Sequence, residues 1–138
     1  MKDKPVRITE NDMQQLRKLI FLLKSSRYPH PEALNDLENG LNRSEVVSSS
    51  EMAKDVVVMN SRVCLEDVDT NRKETLTLVF PDQANMEQSK VSVLAPVGMA
   101  MLGHQTGDVF ESKVPAGIRR LKIKMVQCHP ADARDRGL

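Results

Sequence analysis

Aromatic side chains are almost missing from this chain: among 138 residues there is no Trp, one Tyr and three Phe. A site built on stacked rings is therefore not expected, and aliphatic residues with eight Met must fill the core. Cysteine is equally scarce. Cys64 and Cys128 lie far apart and outside any Cys-x-x-Cys spacing, so neither a disulfide framework nor a zinc ribbon is indicated. The adjacent pair Cys128-His129, with His30 and His104 elsewhere, matches no familiar ligand spacing, and neither a metal nor a cofactor is expected. An excess of charge of one sign is absent too. The net charge of +1 gives no strong field toward DNA or an anionic membrane. The longest wholly apolar run, Leu19 to Leu23, falls far short of the ~20 residues a bilayer span needs. No charged-then-apolar leader pattern opens the chain. The expectation is a reduced, cytoplasmic, monomeric protein with no membrane contact.

What is present divides into a helical front and a β-rich back, an α+β chain. Thr9 suits an N-cap, Asp12 three residues on forms a weak capping box, and Ile8 and Met13 stand where a hydrophobic staple closes. Met13, Leu16, Ile20 and Leu23 follow at 3-4-3 spacing, with Leu19 and Leu22 widening the stripe. "SSRYPHPE", residues 25 to 32, stops this helix, and Pro31 suits the first position of the next. Leu34, Leu37 and Leu41 repeat the spacing, so a second helix can lie back antiparallel on the first. The longer arm would reach about 24 Å at 1.5 Å per residue. Gly40 weakens the second arm near its end.

The polar, serine-rich stretch at residues 44–55 reads as a connector. From Val56 the period falls toward two, predicting four strands, a short helix and two more strands. Val63 and Leu65 alternate with polar neighbours; Leu76, Leu78 and Phe80 share a face; Pro81 ends that strand. Pro96 to Leu102 has the length of two helical turns, with Gly103 as its C-cap. Asp108 to Val114 is a strand, "VPAG" turns, and in the last strand Leu121, Ile123 and Met125 face in while Arg120, Lys122 and Lys124 face out. The assignments are a hairpin at 1–43, a connector at 44–55, an antiparallel sheet domain at 56–130 and a tail at 131–138.

"VCLEDVDTNRKETLTLV", "KVSVLAPVGMAMLGHQTGDVFE" and "VPAGIRRLKIKMVQ" stand in the order and spacing of a known domain. They resemble the C-terminal domain of the bacterial Gre transcript-cleavage factors (GreA/GreB), which has an FK506-binding-protein-like (FKBP-like) fold. "DVVVMNSRV", "TLVFP" and "SVLAPVGMAMLG" bring the resemblance closer to one branch, the regulator of nucleoside diphosphate kinase. That likeness implies a helical hairpin on an FKBP-like body, which docks on a helical rim of RNA polymerase at its secondary channel. Carried over by position, the docking surface is Leu94, Ala95 and Pro96, with Met99 and Leu102 beside them. The Gre pattern often has an acid where this chain has Leu94. The likeness also implies an indirect influence on nucleoside diphosphate kinase levels.

Gre factors stimulate RNA cleavage with two carboxylates at the hairpin tip, which help hold a Mg²⁺ ion in the polymerase's own active site. Here the tip offers Arg27, Tyr28 and His30, with only Glu32 and Asp36 nearby. Glu32 and Asp36 sit where acids favour a helix N-terminus, so transcript cleavage is not expected. Prolyl isomerisation is not expected either: the β-rich part holds only Phe80 and Phe110 as aromatics, and a shared fold does not carry an activity. The expectation is a non-enzymatic transcription regulator bound to RNA polymerase, with DNA or RNA nearby. The alternatives are a cleavage-stimulating elongation factor and an FKBP-like interaction module with a different partner. The strip Arg120, Lys122 and Lys124 reads as a solvated face that could touch nucleic acid.

Overall fold

The computed structural model describes residues 6–114 and 117–127. The turn assigned to Pro115 and Ala116, the Cys128-His129 pair and the tail at 131–138 lie outside the described residues. The chain forms two compact units that meet in sequence between Met52 and Ala53.

In the first unit, β1 (Arg7–Thr9) leads straight into α1 (Glu10–Ser25). Thr9 caps that helix: its hydroxyl accepts from the Asp12 amide at 3.1 Å, which satisfies one donor that the first turn leaves open. α1 ends where Ser26 and Tyr28 both donate to the Leu23 carbonyl and Arg27 takes φ +58°. α2 (Pro31–Asn42) starts with Pro31 at its first position and returns antiparallel. The direction is fixed by side-chain bonds, Lys24 Nζ to Glu38 Oε1 at 2.8 Å and Arg17 to Asn42 Oδ1 at 2.9 Å. Ile8, Leu16, Ile20, Leu34, Leu37 and Leu41 are all buried, forming one apolar seam. Leu22 departs from its expected place at the stripe's margin. It is 52% exposed and Phe21 68%, because α2, β1 and β2 cover only one stripe of α1.

The connector holds more order than its composition predicts. β2 (Glu45–Val47) pairs with β1 in parallel, Ile8 opposite Val46, and the Glu45 amide donates to the Val6 carbonyl at 2.8 Å. Parallel neighbours need a long crossover, and here the helical hairpin supplies it. A 3₁₀ turn at Ser49–Glu51 follows.

The second unit is a five-stranded sheet made of β3 (Arg62–Asp67), β4 (Lys73–Val79), β5 (Lys90–Ser92), β6 (Val109–Val114) and β7 (Gly117–Gln127), in spatial order β5-β4-β3-β7-β6. Its pairings are antiparallel except β4–β5, which is parallel, so the sheet is mixed rather than wholly antiparallel. α3 (Pro96–Met101) packs against β5 and β6, the two edge strands. One six-residue helix can touch both edges only if the sheet curls around it.

Two sequence assignments fail here. The strand expected from Val56 does not form, which leaves three strands before the helix instead of four. Val56, Val57 and Met59 are buried without alternation, and the segment instead ties down the end of α3. Val57 accepts from the Gly103 amide and donates to the His104 carbonyl at 2.8 Å. Met125 does not face in. A register shift between Cys64 and Leu65 pairs those residues with Met125 and Ile123 and leaves Lys124 unmatched. This bulge reverses the facing of the residues beyond it, so Met125 is 50% exposed while Leu121 and Ile123 stay in the core.

Candidate docking surface

From Val91 to Gly103 the chain carries no charged residue. After β5 it turns on Ser92, whose hydroxyl accepts from the Leu94 amide at 2.9 Å and whose carbonyl accepts from the Ala95 amide at 3.0 Å. Ala95 takes an extended conformation, and Pro96, with φ already near the helical value, opens α3. The helix stops at Gly103, whose φ of +85° lets the chain leave in the left-handed region.

This segment divides the expected docking residues. Leu94 and Leu102 are 7% and 5% exposed and belong to the core beside Met101. Pro96 is exposed, and Ala95, Val97, Met99 and Ala100 are half-buried, so an uncharged apolar strip stands at the surface. Gly98 seats it. A Cβ at Gly98 would overlap the Ser92 carbonyl oxygen and press on Leu78 Cδ1 at 3.1 Å. Nothing local in the sequence marks Gly98 beyond a glycine standing inside a short helix. That glycine serves contact within the domain.

The hairpin tip is assembled differently. Tyr28 is half-buried and meets His30 edge-on, ring centres 5.8 Å apart, and His30 Nδ1 lies 3.7 Å from Glu32 Oε2. Arg27, Glu32 and Asp36 are exposed. Among the described residues no group of three or more His, Cys, Asp or Glu side chains is placed to hold a metal ion. Phe110 is buried with its ring 5.6 Å from that of His104, and Phe80 is half-buried.

A further group of charges, not evident from sequence order, gathers around Asp67. Asp67 organises the β3–β4 turn: its Oδ1 accepts from the amides of Asp69 and Thr70, at 2.9 and 3.2 Å, and its Oδ2 from Arg119 Nε at 3.3 Å. The Asp69 amide, then the Thr70 amide and Arg119, hold the Asp67 carboxyl below its ordinary value despite partial desolvation. Arg119 also reaches Glu74 at 3.1 Å, and this bond, followed by the one to Asp67, raises its own pKa. Arg120 pairs with Asp69 at 2.6 Å and Lys124 with Glu66 at 3.3 Å. Two of the three cations in the expected basic strip therefore face acids from the "EDVD" motif.

The family description "Transcription elongation factor, GreA/GreB, C-term" matches residues 52–128. The chain is similar to the regulator of nucleoside diphosphate kinase of Escherichia coli K12, 32% identical over 91% of this chain and 92% of that protein. It is also similar to transcription elongation factor GreA of Syntrophotalea carbinolica, 35% identical over 65% of this chain and 57% of that protein. The chain thus spans about three fifths of the length of the GreA relatives it matches. Among solved structures, a prokaryotic transcription elongation factor GreA/GreB from Nitrosomonas europaea superposes with a TM-score of 0.73 at 35% identity, covering 90% of this chain and 98% of that one.

Proposed function

Because the chain belongs to the GreA/GreB family of transcription elongation factors, we propose that it is a non-enzymatic regulator that docks on RNA polymerase near the secondary channel. Docking uses the exposed part of the α3 strip: Ala95, Pro96 and Met99 make the contact, and Leu94 and Leu102 hold them from below. A rigid helix start fits a helical rim, and the Met side chain adapts to it. The reading without cleavage rests on one observation. The loop between the helices carries Arg27, Tyr28 and His30, and its nearest acid, Glu32, is directed toward His30. A hard divalent ion takes several oxygen ligands, and the loop from Ser26 to His30 carries no carboxylate. The protein would occupy the channel mouth as one copy and hinder longer hairpin factors, with an indirect effect on nucleoside diphosphate kinase levels. Its place of action in this reading is the cytoplasm, beside the transcription machinery. Among the described residues no helix is long and apolar enough to cross a membrane.

Co-purification with core polymerase tests this reading, with a Gre factor as competitor. Wild type is retained and displaced by the competitor, and it adds nothing to RNA cleavage in stalled complexes. Retention without competition would move the contact elsewhere on polymerase. Capture of other proteins with no polymerase subunit would favour an interaction module with a different partner. Cleavage lost on changing Glu32 and Asp36 would restore the cleavage-factor reading.

A further inference from the structure

The sheet ends at β6, and the backbone of that edge has no partner among the described residues beyond β7. The Ile123 amide donates to the Asp108 carbonyl, while the Arg120 carbonyl accepts from Val68, on the other side of β7. Antiparallel strands alternate bonded and non-bonded pairs, so Phe110 and Ser112 bond to β7, opposite Leu121 and Arg119. Val109, Glu111 and Lys113 therefore turn their amide and carbonyl groups outward. Their side chains are exposed, while those of Phe110 and Ser112 are buried. An edge of this kind is a template for another strand.

We infer that β6 is a self-complementary edge on which a second copy of this chain pairs antiparallel, about a two-fold axis at Ser112. With the axis there, Glu111 stands opposite Lys113 of the second copy, and Lys113 opposite its Glu111. Both residues direct their backbone groups outward, so each such pair exchanges two backbone hydrogen bonds and also matches an acid with a base. Shifting the axis to Glu111 or Lys113 would set like charges opposite each other, and only the axis at Ser112 matches each acid with a base. In this register the two Ser112 residues form the non-bonded pair on the axis, their side chains turned to the inner face of each sheet. The groups facing the pair from within each chain are Arg120, opposite Glu111, and Ile118, opposite Lys113, neither of which opposes the match. The contact is one short strand, so the dimer is weak and depends on concentration and salt. It rests on the edge geometry of β6 and its charge pattern and is independent of the polymerase reading.

Sedimentation equilibrium of the full chain, to ~1 mM at low and high salt, tests the inference. Wild type associates to dimers, less so in high salt. Glu111→Lys and Lys113→Glu each weaken self-association at least about tenfold; both sites are exposed strand positions, and circular dichroism checks that the fold is kept. Mixing the two single variants restores dimers, because the lysine introduced in one chain then meets the glutamate introduced in the other. The double swap in one chain restores them as well. A wild type that stays monomeric over the whole range overturns the proposal. So do single variants that associate like wild type, or mixed variants that fail to associate. If the swaps alter polymerase retention while self-association is absent, the edge serves polymerase instead and the inference fails.

Discussion

Around the β3–β4 turn and along β7 the charges face one another, whereas from Val91 to Gly103 there is no charge to face. In sequence, the charged region has the marks of a recognition surface, yet it is matched within the domain. The uncharged region has the marks of core, yet part of it stands open. The difference follows from strand pairing. Glu66 and Asp67 end β3, Asp69 stands in the turn that follows, and "RRLKIK" lies on the adjacent antiparallel β7, so acids and bases far apart in sequence become neighbours. α3 packs against β5 and β6, so its inner side is held, while Pro96 on its outer side is exposed among the described residues.

The largest test of this contrast is Gly98→Ala. Overlap with the Ser92 carbonyl cannot be relieved by a rotamer change, so a loss of about 3 kcal/mol in urea unfolding is expected, despite the better helix propensity of Ala. An unfolding midpoint equal to wild type would mean that the strip is not seated as described. Pro96→Asp comes next. An acid in the first turn of a helix is well tolerated, so stability stays within about 0.5 kcal/mol while polymerase retention falls about tenfold or more. Equal retention by a folded variant would remove the strip from the docking surface.

Asp67→Asn probes the matched charges through pH. The folded protein holds the Asp67 carboxyl below 3.8, its ordinary value, so its contribution is complete above that value and is lost as pH falls through the lower folded pKa. Asn keeps an acceptor for the two turn amides but has no charge for Arg119. Below about pH 4, wild-type stability should therefore fall more steeply than that of the variant. Parallel curves would show that another carboxyl dominates. The smallest effect is expected from Arg120→Gln, since an exposed cation facing Asp69 adds little in salt; filter binding to single-stranded RNA should not change. A clear loss of RNA binding would return that strip to recognition.

Much of the hairpin was legible because its signals are local. Thr9, Pro31 and the 3-4 spacing of leucines act within one or two helical turns, and each is found doing so. The order of the β-rich part was legible for the same reason, through alternation, turn residues and Gly103. The candidate docking strip was legible as a segment, but the exposure of Pro96 against the burial of Leu94 was not. No residue next to Leu94 in sequence distinguishes it from its exposed neighbours.

Composition and local pattern by themselves determined an α-hairpin followed by a curled sheet with one short helix, along with a tip poor in acids. Tertiary structure decided the rest: that β1 and β2 pair across the hairpin, that the Val56 segment anchors a helix end, that a bulge turns Met125 outward, and that acids of one strand answer bases of another. Each of these depends on which backbone lies alongside which. Strand register is set by contacts between residues dozens of positions apart, and a period read along one strand carries no information about its neighbour.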